Sequence, residues 1–203
     1  MFRAVTRILA LDTTGELGSI ALVADGRVLE EVAMESPDGF AHVVFGEIEA
    51  LLARHGLSVA EIDVFAAAAG PGSFTGVRVG LTAAKGLAEA TGRKVAAVSN
   101  LRAVAWFGTQ TMRAAMIDAR RGEIYGGVYD GALNAVSDEV VMPMADWLAT
   151  LPAGAEIVKS EGRLLAGAIG SIAAGHPELA RDPAEIDANY VRRSDAELLW
   201  REP

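Results

Sequence analysis

Apolar and polar positions change period repeatedly along the chain, and each change marks an element. Ile8-Leu9-Ala10-Leu11 is a continuous apolar run of strand length that ends in the polar turn Asp12-Thr13-Thr14-Gly15. A second strand follows over 19–23, Asp25-Gly26 has the composition of a tight hairpin, and 27–33 alternates, so three antiparallel strands are predicted to open the fold. Ser36-Pro37-Asp38-Gly39 reads as a loop, and beyond it Val44, Ile48, Leu51 and Leu52 form the apolar stripe of a helix over 41–55. Ser58 and Glu61 have capping-box spacing at a short turn within 57–62. A buried strand over 64–69 then runs into Gly70-Pro71-Gly72-Ser73-Phe74-Thr75-Gly76, a helix is predicted over 77–90 with its stop at Thr91-Gly92, and a strand over 94–98 follows.

From Asn100 the pattern partly restarts. A helix over 101–109 precedes a strand over 114–117, the turn Asp118-Ala119-Arg120-Arg121-Gly122, a strand over 123–129 and the turn Asp130-Gly131. The order of apolar strand, Asp-led turn, strand and Asp-Gly turn repeats that of the first residues, a weak internal duplication carried by pattern rather than by residue identity. A helix near Trp147, a strand at Ile157-Val158, a Gly/Ala-rich helix over 164–174, breaks at His176-Pro177 and Asp182-Pro183, and a final helix from Ser194 complete the expected elements.

The glycine turn admits two uses. A strand, a glycine-rich turn and a helix N-terminus can cradle an anion, although the spacing matches neither G-x-x-x-x-G-K-[ST] nor G-x-G-x-x-G; the other use of the glycines is purely conformational. Gly76, Gly80, Ala84 and Ala88 recur every four residues and form a small-residue ridge on the following helix. Such a ridge serves close packing within the domain or the approach of a helix from another protein.

Composition narrows the class. The 203 residues are 51% hydrophobic and 22% charged, which suits a folded α/β protein of one large or two small domains. No apolar run reaches the roughly 18 residues of a membrane span, and the N-terminus lacks a signal-peptide pattern, so a cytoplasmic location without membrane attachment is expected. The absence of cysteine removes disulfides, thiolate nucleophiles and Cys-ligated zinc. A net charge of −9 argues against independent binding to nucleic acid; Arg120-Arg121 and Arg192-Arg193 are pairs rather than a basic patch. Candidate chemistry is sparse. His42, His55 and His176 are the three histidines and none has metal-ligand spacing, so no metal site is expected. Ser73 lacks the G-x-S-x-G context of a hydrolase nucleophile. Asp12 and Asp118 each end a buried strand at a glycine-containing turn, where a carboxylate can meet a hydrated cation or cap the turn.

The Asp-led turns of the two halves resemble those of the two-lobed actin, Hsp70 and sugar kinase superfamily. Within it, Ile8-Leu9-Ala10-Leu11-Asp12-Thr13-Thr14, the glycine block from Gly70 to Gly80, and Ile117-Asp118-Ala119-Arg120-Arg121-Gly122-Glu123-Ile124-Tyr125 resemble the signature blocks of the TsaB (YeaZ) family, over about residues 7–130; Tyr190-Val191-Arg192 is similar to its closing segment. The resemblance implies an N-terminal lobe over 1–100, rejoined by 189–203, and a smaller lobe over 101–188. It also implies a non-catalytic subunit of the bacterial machinery that forms N6-threonylcarbamoyladenosine beside the anticodon of tRNAs reading codons that begin with A. TsaD carries the metal and the transfer chemistry there, and TsaE an ATPase. Members are often labelled glycoproteases, and no residue pattern here supports proteolysis.

On that resemblance the first two helices pack against those of TsaD, or against a second copy when the chain is alone. The expected contact residues are Val44, Ile48, Gly76, Val77, Gly80, Leu81, Ala84, Leu87 and Ala88, and Gly80→Arg is expected to leave the monomer folded but block association. Asp12, Thr13, Gly72, Ser73 and Asp118 are expected to form a degenerate nucleotide or phosphate site. No cofactor is required by the chain itself, ATP or ADP with Mg being reserved for a composite site with partners, and tRNA is met only through the complex. The alternative is an independent small-molecule kinase of the same fold, with Asp12, Thr13 and Gly72 around a nucleotide; a self-associating structural protein is a third.

Overall fold

The computed structural model describes residues 6–191, so the expected helix from Ser194 lies outside the described residues. The first strands are β1 (Arg7–Asp12), β2 (Gly18–Ala24) and β3 (Arg27–Met34), antiparallel as their hairpin chemistry requires. Asp25 and Gly26 take φ of 48° and 77°, the left-handed pair of a two-residue hairpin turn. Next come α1 (Val44–Arg54), β4 (Val64–Ala68), α2 (Phe74–Thr91), β5 (Lys94–Val98) and α3 (Asn100–Ala105). The second half carries β6 (Met112–Asp118), β7 (Glu123–Asp130), β8 (Val140–Pro143), α4 (Met144–Thr150), β9 (Glu156–Lys159), α5 (Ala166–Gly175) and β10 (Ala180–Arg181).

The strands form two mixed sheets, ordered β10-β5-β4-β1-β2-β3 and β8-β7-β6-β9. The duplication is visible in their pairing. β4 runs parallel to β1 beside an antiparallel β1-β2-β3 meander, and β9 runs parallel to β6 beside an antiparallel β6-β7-β8 meander. Asp12 and Asp118 therefore end equivalent strands.

The first sheet is covered on both faces, which is why β1 and β4 read as unbroken apolar runs. Leu9, Leu11, Ile20 and Leu22 pack under α1 and α2 with Ile48, Leu51, Leu52 and Ala84. Ile8, Ala10, Ala21 and Val23 face the opposite way, toward Ile169 and Ile172 of α5. Ala115 and Tyr129 of the second sheet join that same cluster, so the two halves share one core. Among the described residues no helix is long and apolar enough to cross a membrane.

Two expectations are corrected here. α2 begins at Phe74 rather than Val77, because the Ser73 hydroxyl accepts from the Gly76 N–H and draws Phe74-Thr75-Gly76 into the first turn. The boundary at 101–188 also fails as a division of the chain. α5 packs on the first sheet, and β10 pairs with β5 well before residue 189, because the Gly/Ala-rich helix has its complementary apolar surface on β1 and β2.

Candidate functional site

The β1–β2 turn is built into the glycine segment. Its Thr13 hydroxyl donates to the Gly76 carbonyl at 2.6 Å, and its Thr14 carbonyl accepts from the Ser73 N–H at 2.9 Å. A Cβ on Gly76 would lie 2.0 Å from the Thr13 carbonyl oxygen, and one on Gly80 would lie 2.7 Å from the Thr13 hydroxyl oxygen. Only a residue without a side chain permits this approach. Asn100 adds a second tie. Its side-chain carbonyl accepts from the Gly70 N–H at 3.1 Å, and its amide donates to the Thr14 hydroxyl oxygen at 2.5 Å.

Asp12 is 4% exposed and receives both the Thr14 N–H, at 2.9 Å, and the Thr14 hydroxyl, at 2.6 Å. Burial raises its pKa above the ordinary carboxylate value; the two Thr14 bonds oppose that rise and the charge of Glu31 adds to it. Opposite stands Asp118, exposed, accepting from the Arg120 N–H at 2.8 Å. Arg120 and Arg121 hold φ of 66° and 56°, an unusual left-handed pair for residues with side chains. The Arg120 guanidinium reaches Glu16 of the other Asp-led turn at 3.0 Å, an exposed bridge of small energetic weight.

Between these turns lies a cleft of about 450 Å³ that brings Asp12, Thr14, Gly72 and Asp118 together. Its charged lining is Asp12, Glu16, Asp118 and Glu161 with Arg120 and Arg163. The hydroxyls of Thr13 and Ser73 are engaged by Gly76, and Asp12 is engaged by Thr14. Thr13, Ser73 and Asp12 thus each take part in bracing the turn, while Asp118 stays exposed. Among the described residues no group of three or more His, Asp or Glu side chains has metal-site geometry.

A different surface lies across α1 and α2. Phe45 is 56% exposed and Phe74 44% exposed, and both line a groove of about 430 Å³ with Val44, Arg78, Val79 and Thr82. The Arg78 guanidinium sits 3.7 Å from the centre of the Phe74 ring, and its Nε donates to the Tyr190 hydroxyl at 3.3 Å. Tyr190 stacks obliquely on Phe74, with ring centres 5.5 Å apart. On the other side of Phe45 a groove of about 500 Å³ is lined by Ile48, Leu52, Leu57 and Leu87. Phe45 is thus a ridge between two apolar grooves.

Residues 38–170, more than half of the chain, match the family model described as "TsaD: tRNA N6-adenosine threonylcarbamoyltransferase". The tRNA threonylcarbamoyladenosine biosynthesis protein TsaB of Bacillus subtilis is 33% identical over 149 residues, 71% of this chain and 65% of that protein. The TsaB of Escherichia coli is 37% identical over 134 residues, 64% of this chain and 58% of that protein. YeaZ from Pseudomonas aeruginosa superposes with a TM-score of 0.77 at 27% identity, covering 91% of this chain and 99% of that one. This chain belongs to the TsaB/YeaZ family. Its aligned part spans under two thirds of the length of either curated TsaB relative. The two sheets and their flanking helices are the actin, Hsp70 and sugar kinase type of α/β fold.

In this TsaB-family chain the expected contact residues are mostly interior. Val44, Ile48, Gly76, Val77, Gly80, Leu81, Ala84 and Ala88 are buried within the chain itself, and Leu87 alone of the nine is partly exposed. The small-residue ridge closes on Thr13 and the sheet, so it receives its own β1–β2 turn rather than a helix from another protein, and Gly80→Arg would strike the core. Val44, Ile48 and Leu87 still line the two grooves. Phe45, Phe74, Arg78 and Val79 stand outside the contact residues expected from the sequence. Phe45 carries a legible signal, being a large apolar residue beside, not on, the stripe of Val44, Ile48, Leu51 and Leu52.

Proposed function

We propose that this chain is a non-catalytic subunit of the machinery that makes N6-threonylcarbamoyladenosine in tRNA, and that it binds and activates TsaD through the outer face of α1 and α2. The observation that carries the reading is the exposed aromatic ridge of Phe45 and Phe74, with Arg78 over a ring and an apolar groove on each side of Phe45. Aromatic and Arg anchors with apolar surroundings are typical of a protein interface. The match to a TsaD-family model supports a partner of the same fold, which can present equivalent helices across a pseudo-two-fold axis. Alone, the same face pairs with a second copy.

The chain needs no cofactor in this reading. ATP or ADP with Mg belongs at a composite site completed by TsaD and TsaE, because the cleft here is rich in carboxylates and its Thr14 hydroxyl is engaged by Asp12 and Asn100. Transfer chemistry belongs to the partner in this reading: none of His42, His55 and His176 lines the cleft, and His55 is paired with Glu30 and His176 with Glu178. With its net charge of −9, the chain meets tRNA only through the complex, in the cytoplasm.

Size-exclusion chromatography with light scattering, of the chain alone and mixed with TsaD from the same organism, tests the reading. A mixed species replaces the homodimer for the wild type, and Phe45→Glu, at an exposed position, stays folded by circular dichroism but forms neither species. Co-elution of Phe45→Glu with TsaD at wild-type strength removes this face from consideration.

A further inference from the structure

A third groove, of about 580 Å³, lies apart from both the cleft and the α1–α2 face. Its walls come from the ends of β4 and β5, from β7 and the loop after it, and from residues 178–179 and 187–189. At one side a polar cluster converges on Glu139. Its carboxylate accepts from the Ser99 hydroxyl, from the Tyr129 hydroxyl and from the Asn189 amide. Burial, then the charge of Glu139, pushes the Tyr129 phenol up, so it stays a neutral donor to the Glu139 carboxylate. Glu139 is thereby occupied.

Arg102 of α3 lines the same groove and is left incomplete. Its Nε is the one buried side-chain nitrogen or oxygen among the described residues with no hydrogen-bond partner. A buried guanidinium N–H without an acceptor is costly, and native structures supply such a group with water, an ion or a ligand. The surrounding charges select among these. Glu139, Glu178 and Asp187 also line the groove, so a simple anion drawn to Arg102 meets three carboxylates. A molecule that brings an acceptor to the guanidinium and a cationic group to the acidic wall matches both sides. Leu179 and Ala135 add apolar lining, and the volume lies in the range of small-molecule sites, roughly 300–1,000 Å³.

We propose that this groove binds a small zwitterion of the free α-amino-acid class, its carboxylate on the Arg102 guanidinium and its ammonium group toward Glu178 and Asp187. The site is independent of the helices assigned to TsaD. Binding of TsaD and binding of the zwitterion therefore fail separately.

The purified chain is screened by thermal shift and then by calorimetric titration against each common α-amino acid, the matching amino-acid amides, the matching carboxylates without an amine, and inorganic phosphate. At least one amino acid is expected to raise the melting temperature and titrate at one site per chain, with its amide and its amine-free analogue weaker by roughly tenfold or more. Arg102→Met is expected to lose at least about tenfold in affinity, as a lost charge-assisted bond requires. Asp187→Asn, at an exposed side chain whose change spares the fold, is expected to lose severalfold. Absence of binding by every amino acid overturns the proposal. So does equal affinity in Arg102→Met, unchanged affinity in Asp187→Asn, or equal binding of phosphate and amine-free carboxylates.

Discussion

Gly76→Ala tests whether the small-residue face of α2 serves the β1–β2 turn or a partner helix. The added Cβ would stand 2.0 Å from the Thr13 carbonyl oxygen and 2.9 Å from its carbon, both backbone atoms that no rotamer change can move aside. Relief requires α2 to shift away from Thr13, which stretches the 2.6 Å bond from the Thr13 hydroxyl to the Gly76 carbonyl. Overpacking of this kind costs about 1–3 kcal/mol, and the lost hydrogen bond about 1 kcal/mol. Replacing glycine by alanine in a helix returns up to about 1 kcal/mol. The net is a destabilisation of roughly 1–3 kcal/mol, which for a chain of this size lowers the melting temperature by about 2–4 °C per kcal/mol. Calorimetry and urea titration of the isolated chain read the effect without any partner. A Gly76→Ala chain that melts at or above the wild type would refute the packing argument and return the ridge to the surface.

The opposite sign is expected at Gly86, also within α2, where a Cβ meets nothing within 4 Å; Gly86→Ala should stabilise by about 0.8–1 kcal/mol in the same titration. Gly80→Arg places a Cβ 2.7 Å from the Thr13 hydroxyl oxygen, with a long cationic side chain beyond it, and should unfold or strongly destabilise the chain, which circular dichroism checks directly. At Asp12 the native pKa is raised above its ordinary 3.8, so the folded state holds that proton more tightly than the unfolded state. The stabilising contribution is full below that ordinary value and is lost as pH rises through the native one. Asp12→Asn, which keeps an acceptor for Thr14, should therefore match or exceed wild-type stability at neutral pH and lack that loss, as denaturant titrations on both sides of the transition would show.

The strands of the first sheet are legible because both faces are buried, which leaves apolar runs bounded by Asp, Gly and Pro. The hairpin at Asp25-Gly26, the left-handed stop at Gly92 and the turn at Ser58, whose N–H donates to the Glu61 carboxylate at 2.9 Å, follow from local chemistry alone. β10 escapes the pattern because it has two residues, too few to establish an alternation, and β8 because its Val140-Val141-Met142-Pro143 neither alternates nor is fully buried. The ridge of Gly76, Gly80, Ala84 and Ala88 shows a different limit. Four-residue spacing says that one face of α2 accepts a close neighbour, and it cannot say which neighbour. The neighbour is Thr13, distant in sequence, and only the parallel pairing of β4 with β1 brings its turn beside the start of α2. Phe45 is legible as a large apolar residue off the stripe of α1, whereas Phe74 sits in the first turn of α2, where only its exposure distinguishes it.

The duplication gives the two Asp-led turns a common origin in topology and different surroundings. After β1 the turn is sealed by the glycine face of α2, by Ser73 and by Asn100, so Asp12 is buried and bonded within its own turn. After β6 the equivalent helix, α5, packs instead on the first sheet, and Asp118 stays exposed. The cleft is thus made from one sealed turn and one open turn. Sealing the first turn also draws the small-residue face of α2 inward. The rest of that helix is then rotated outward, which brings Phe74 and Arg78 to the surface beside Phe45 of α1. The contact that commits the cleft groups to structure is thus the same contact that presents the aromatic face.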